Sequence, residues 1–359
     1  MCQQMGELHE RLDRLNETMM ELRREQSVKL DQILHMLRHE EEYGEHSGEA
    51  KAILLIGGQS PSLTGDILAI YPPTNTIAKF NASLRVAREH HVAGQYQGRI
   101  MVAGGKTATE GDTKKTEIYH PVTNRFMTGP QMNEKRYKAG GAVAGSKFFV
   151  CGGVQNDGTF RRTFLSSCEF FDFERPIDGW QTNRSLVLPI GLSPAAMLAD
   201  GTDLYVIGGW QSNNGVKNVY KLDTADPDSR WTSLASMNER RSGASAVLVT
   251  STEGRKSILV CGGWKSNRFM KSCEQYSVEE NRWRNLAGTT LKNKKEFFGM
   301  VNFHGRILAM GGRERKLLRG FVKHDDIQEY GTRVQRWGAA RGLPKLPQAM
   351  TNFATVLWE

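Results

Sequence analysis

Three sets of side chains in this sequence could do chemistry. His90 and His91 are adjacent, His324, Asp325 and Asp326 are consecutive, and five cysteines are spread along the chain. A metal centre or an acid–base pair needs such groups to converge, and their spacing argues against it. Neighbours in a strand point to opposite faces, which parts the two histidines. The stretch HDDIQE sits in a long loop among basic residues, where solvated charge is the plainer reading. No cysteines form a CxxC and their number is odd, while Cys151 and Cys261 lie inside apolar runs. Buried thiols in a reducing compartment are therefore expected. No nucleophile stands beside a base, and neither a P-loop nor a zinc spacing occurs. Recognition is the chemistry left.

The elements that would position recognition residues recur. A glycine pair closes each of six apolar runs, AILLIGG, RIMVAGG, FFVCGG, LYVIGG, ILVCGG and ILAMGG. The first glycines are Gly57, Gly104, Gly152, Gly208, Gly262 and Gly311, at intervals of 47, 48, 56, 54 and 49 residues. Downstream come Tyr71, Tyr119, Phe171, Tyr220, Tyr276 and Tyr330. A second aromatic follows in Tyr119–Phe126, Phe171–Trp180, Tyr220–Trp231, Tyr276–Trp283 and Tyr330–Trp337, across turn residues that make each pair a hairpin. The first unit departs from this, and Phe80 substitutes there.

A repeat of this period resembles the kelch family. The resemblance runs from about residue 50 to 359. It implies an all-β, six-bladed kelch β-propeller in which each unit is a four-stranded blade and the apolar run is an inner strand. It implies also that the glycines turn where blades crowd together, and that the Tyr and Trp pack between blades. Five glycine pairs are preceded by another short strand; the first is not. The C-terminal TNFATVLWE has no glycine pair of its own, so Asn352–Trp358 is expected to complete blade 1 and close the ring.

Residues 1–45 are of another kind, and 50–359 form the propeller domain. Leu8, Leu12, Leu15, Met19 and Leu22 alternate by four and three, and Ile33 and Met36 resume the seam. Gln26 and Lys29 interrupt it, and Gly44 stops it. Such a pattern over 6–43 predicts an N-terminal α-helix that self-associates as a short coiled coil. An amphipathic helix lying on the propeller needs one apolar stripe as well.

The propeller resembles that of BTB-kelch ubiquitin-ligase adaptors, in which two kinds of position hold partners. One lies sixteen residues before the glycine pair, where Arg88, Arg136 and Lys295 stand, with Arg241 matched through RRSG despite an insertion. The third unit is apolar there, and the C-terminal strand offers Thr351. The other position follows the glycine pair and carries Gln59, Lys106, Val154, Trp210, Trp264 and Arg313. Cations beside tryptophans suit an acidic or phosphorylated protein segment. Arginine at the first position can equally brace neighbouring blades.

The resemblance thus implies a non-catalytic protein–protein interaction module, either a substrate adaptor or an actin-associated cytoskeletal scaffold, with no cofactor. No BTB domain stands in the first 45 residues, so the ubiquitin-ligase link is not carried over. The alternative is a kelch-type enzyme, sugar-modifying or metal-dependent. A copper site like that of galactose oxidase needs Tyr and His ligands on a secreted protein, and the ExxxDxxxH iron motif is not found.

The net charge of +9 permits an acidic partner, but its cations are interspersed with acids, which argues against nucleic acid. No run of 18 apolar residues occurs, so neither a membrane span nor a membrane partner is expected. The polar, charged N-terminus predicts cytoplasmic residence, with the nucleus open.

Overall fold

The computed structural model describes Met19, Met20 and residues 50–358 apart from 81, 121, 122, 157, 159, 160, 194, 213 and 333. The helix expected over 6–43 lies outside the described residues, save those two methionines. What is described is all-β, built on six four-stranded antiparallel sheets. Blade 2 shows the plan: Val92–Tyr96, Arg99–Ala103, Thr116–His120 and Arg125–Thr128 pair in chain order.

The first strands of the sheets meet one another in a ring. Val92–Tyr96 touches Gly140–Ala144, which touches Ala196–Asp200, then Ser245–Thr250, Gly299–Phe303, Ala354–Trp358, and Val92–Tyr96 again. This is the arrangement of a six-bladed β-propeller. In blade 1 the first strand is Ala354–Trp358, which pairs with Ala52–Ile56 along its whole length, from Ala52 opposite Trp358 to Ile56 opposite Ala354. The start and the end of the ring are thereby joined across one sheet, and that sheet has no free inner edge.

The innermost strands are the short strands that precede the apolar runs. They are rich in small residues, as in VAGQY and GGAVA, because six strands crowd around the channel. A Cβ on Gly141 would lie 2.7 Å from the Val92 side chain. The apolar runs are the second strands. A strand covered on both faces by neighbouring blades has no polar side to show, so it reads as an unbroken apolar stretch. Ala52, Leu54 and Ile56 pack towards blade 2, and Ile53 and Leu55 towards blade 6. Six such clusters fill the six junctions. Each fully buried leucine contributes about 1.5–3 kcal/mol.

The glycine pairs end these second strands. Gly104 has φ +65°, and a Cβ on it would lie 2.5 Å from the carbonyl oxygen of Arg136 in the next blade. The equivalent carbonyl crowds the first glycine of all six pairs. The next blade can dock only where no side chain intervenes. The aromatics also bind blade to blade: Trp180 donates to the Pro130 carbonyl at 3.0 Å and Trp283 to that of Ala235 at 2.8 Å.

Four cysteines depart from expectation. Cys151 is joined to Cys168 and Cys261 to Cys273, directly opposite one another on the second and third strands of blades 3 and 5. They are disulfides and not buried thiols. Each pair lies in register with Cα atoms 4.1 and 4.2 Å apart, a closeness that one-strand-at-a-time reading does not reveal. Cysteine usage therefore no longer argues for a reducing compartment.

Candidate functional site

The face of the ring at the glycine pairs carries the predicted site residues, and it divides them into two groups. Arg88, Arg136, Arg241 and Lys295 are buried, each no more than 1% exposed. Arg136 donates from Nη1 to the carbonyls of Gly152 and Ser167, at 2.7 and 3.0 Å, and from Nη2 to Glu169 at 2.9 Å. Its own carbonyl accepts from Gly105 of the preceding blade at 2.9 Å. Arg241 repeats this with Gly262, Ser272 and Glu274. Arg88 does so with Gly104, Lys115 and Glu117, and Lys295 pairs with Asp326 at 3.0 Å. Burial lowers the pKa of Arg88, Arg241 and Lys295, and the paired carboxylates oppose that shift.

These four cations are held inside the fold and are not open to a partner. The correction is physical: each arginine turns its guanidinium to two carbonyls and a carboxylate of its own blade, Lys295 turns its ammonium to Asp326, and the backbone carbonyl of each accepts from a glycine amide of the preceding blade. At the same position the fourth and first blades bring Leu192 and Met350, whose carbonyls accept from Gly153 and Gly312 of the preceding blades. Thr351, expected there, lies one residue further and bridges Gln59.

Lys106, Trp210, Trp264 and Arg313 are accessible. Each follows a glycine pair and is paired through the backbone to the residue after the bracing position, as Trp264 is to Ser242 and Arg313 to Glu296. The rings of Trp210 and Trp264 lie 4.7 Å apart, so two blades share one aromatic patch. Lys106 Nζ stands 5.0 Å from the Tyr137 ring, and Arg313 stands 5.0 Å from that of Phe297. Val154, at the same position, is buried.

Sequence reasoning missed a third set, two residues past the bracing position. His90, Lys138, Gly243, Phe297 and Asn352 line the mouth of the channel, all with φ between +52° and +64°. Their backbones form a belt: Lys138 N–H donates to His90 O, His90 to Asn352, Asn352 to Phe297, and Phe297 to Gly243. Ser193 Oγ extends it to the Lys138 carbonyl at 2.9 Å. Left-handed backbone suits glycine, and only Gly243 keeps the RSG pattern. Non-glycine residues where the pattern asks for glycine were the signal available in the sequence. Strained backbone held by its surroundings gathers at functional sites.

The mouth opens on a cavity of about 140 Å³ lined by His90, Lys138, Phe297 and Asn352 among others. Glu89 is engaged by Asn352 at 2.7 Å, and Glu296 by Arg313 at 3.0 Å. Among the described residues no carboxylate forms a close ion pair with Lys138, although the charges of Glu296 and Glu89 reach it; its ammonium lies 5.2 Å from the Phe297 ring centroid and 5.7 Å from that of Tyr137. Burial, and then the charge of Arg313, lowers its pKa to about 8. The same burial, with Lys138 and Arg313 nearby, keeps His90 well below the usual histidine range. The site can thus present positive charge over aromatic walls. Among the described residues no group of three His, Cys, Asp or Glu side chains converges as a metal site.

Comparison with known proteins agrees with the repeat. The Kelch motif model matches residues 191–238 and 240–289, which span blades 4 and 5. Beta-scruin of Limulus polyphemus is 26% identical over 85% of this chain and 33% of its own length. Kelch repeat-containing protein kel-10 of Caenorhabditis elegans is 26% identical over 34% of this chain and 21% of its own. A kelch repeat and BTB domain-containing protein of the same organism is 24% identical over equal shares. The chain spans a third or less of the length of these relatives. The solved structure of YjhT superposes with a TM-score of 0.64 at 14% identity, covering 82% of this chain and 95% of that one, which is a likeness of fold. Of the six glycine-paired blades, the fourth and fifth are thus matched by the Kelch motif model, and the other four repeat their plan.

Proposed function

We propose that the chain is a non-catalytic interaction module whose channel-mouth face receives an acidic segment of a protein partner. The observation that carries this is Lys138, a half-buried ammonium at the mouth with no close ion pair among the described residues, flanked by Lys106, Arg313 and the Trp210–Trp264 patch. A carboxylate arriving there relieves the repulsion among the cations and meets donors already in place. Kelch-repeat relatives support a role in protein interaction or the cytoskeleton, and a cytoplasmic setting fits either.

The test is affinity capture from a cell extract with the intact chain and with Lys138→Met plus Lys106→Met, the captured proteins identified by mass spectrometry. The wild type should enrich an acidic protein, and the double variant should bind it more weakly by about 1–3 kcal/mol for each buried contact. Because a bound carboxylate stabilises the protonated amine, affinity should fall as pH rises through about 8, the pKa of Lys138 in the free face. Equal affinity in a folded double variant would remove this face from consideration. Stoichiometric copper or iron in the purified protein would favour the enzymatic alternative.

Self-association through 6–43 is part of the same reading, since two joined propellers bind two sites at once. Light scattering should give a dimer mass for the whole chain and a monomer mass for a chain starting at Glu49. Equal monomer masses would sink it.

A further inference from the structure

Beside the mouth, the hairpin of Arg313–Lys316 and Gly320–Lys323 stands away from the ring. Four residues per strand lift its tip on the order of 13 Å. The strands of the corresponding hairpins in blades 4 and 5, Trp210–Gln211 and Trp264–Lys265, have two residues each. Polar residues are expected at so exposed a turn, yet Leu317 is 100% exposed and Leu318 95%. Phe321 is 57% exposed just below them and stands 6.3 Å from Phe269 of the neighbouring hairpin.

Arg315 and Arg319 lie on either side of this tip, both exposed and with no side-chain partner among the described residues. Lys316 is exposed as well, with Glu314 at 3.4 Å, and Arg268 sits on the neighbouring hairpin. The order from the tip inwards is therefore two leucines, then a collar of cations, then an aromatic shelf.

We infer that this hairpin docks the propeller on an anionic lipid surface, with Leu317 and Leu318 entering the acyl boundary and the arginine collar at headgroup level. The shape favours a bilayer over a protein groove. A convex apolar tip ringed by cations within one or two residues matches the layering of an interface, where apolar groups sink about 5–10 Å and basic residues meet anionic headgroups. Peripheral docking needs no spanning segment, so it is compatible with the absence of a long apolar run. Its tip residues take no part in the acidic-partner reading; only Arg313, at the base of the hairpin and 4.5 Å from the Phe321 ring centroid, is common to both.

The test is co-sedimentation of the whole chain with vesicles of phosphatidylcholine alone and of phosphatidylcholine with phosphatidylserine. Binding should require phosphatidylserine and weaken as salt rises. Leu317→Asp with Leu318→Asp should cut partitioning on the order of tenfold or more, and Arg315→Ala with Arg319→Ala by a similar factor. Both variants should melt as the wild type does, since these side chains touch nothing structural. No sedimentation with phosphatidylserine vesicles at low salt would overturn the inference and leave the tip as a protein contact. Variants that sediment like the wild type would overturn it too.

Discussion

The guanidinium of Arg136 satisfies two carbonyls and the carboxylates of Glu169 and Glu134 while being 1% exposed, so it behaves as part of the backbone. Removing one partner of a buried ion pair leaves the other desolvated, which costs about 3–5 kcal/mol. Arg136→Met should lower the urea midpoint accordingly, and Glu169→Gln likewise. The double variant should lose less than the sum, because neither charge is then left alone. Additive losses would mean the pair is not coupled. Half of the site was legible at this scale. The repeat period located each bracing position, but period carries no information on where a side chain points. A readable clue existed: Glu169 and Glu274 each lie 33 residues after their arginine, Glu117 lies 29 after Arg88, and Asp326 lies 31 after Lys295. A carboxylate recurring at the head of the third strand is a partner for a buried cation.

At the scale of the element, the second and third strands of blades 3 and 5 are stapled at the end nearest the glycine turn. The same position in blade 1 brings Ile56 opposite Ile67, and in blade 6 Met310 opposite Ile327. A disulfide there replaces an apolar pair. The bridges close separations of 17 and 12 residues. Bonds of this kind contribute about 2–4 kcal/mol each, largely by restricting the unfolded chain. Reductant should therefore lower the melting temperature, and Cys151→Val with Cys168→Val should recover part of the loss by restoring an apolar pair. A melting curve indifferent to reductant would show that the bridges do not stabilise this fold. The apolar runs were legible as strands because burial on both faces writes an unbroken apolar signature. Their rank in the blade was not, since the small-residue strands nearer the axis carry a weaker signal.

The whole molecule is a ring, and a ring depends on its last joint. Five sheets take their four strands from one continuous stretch each, whereas blade 1 takes three from near residue 50 and one from the C-terminus. Ala354–Trp358 also touches the inner strands of blades 6 and 2, so it belongs to two junctions as well as to its own sheet. Asn352 and Met350 add the carbonyls that the His90 and Gly312 amides require. Deleting 351–359 removes the strand, opens the inner edge of Ala52–Ile56, and uncovers Leu54 and Ile56 on one side and Leu55 on the other. An exposed flat apolar edge of this kind recruits other chains. Its loss should make the protein largely insoluble, and adding the strand back as a separate peptide should rescue some of it. Any soluble fraction should melt well below the full chain. A truncated protein that melts with the full chain would show that the ring holds without its closing strand and without the Asn352 links of the backbone belt, leaving the buried junctions between blades to keep it together.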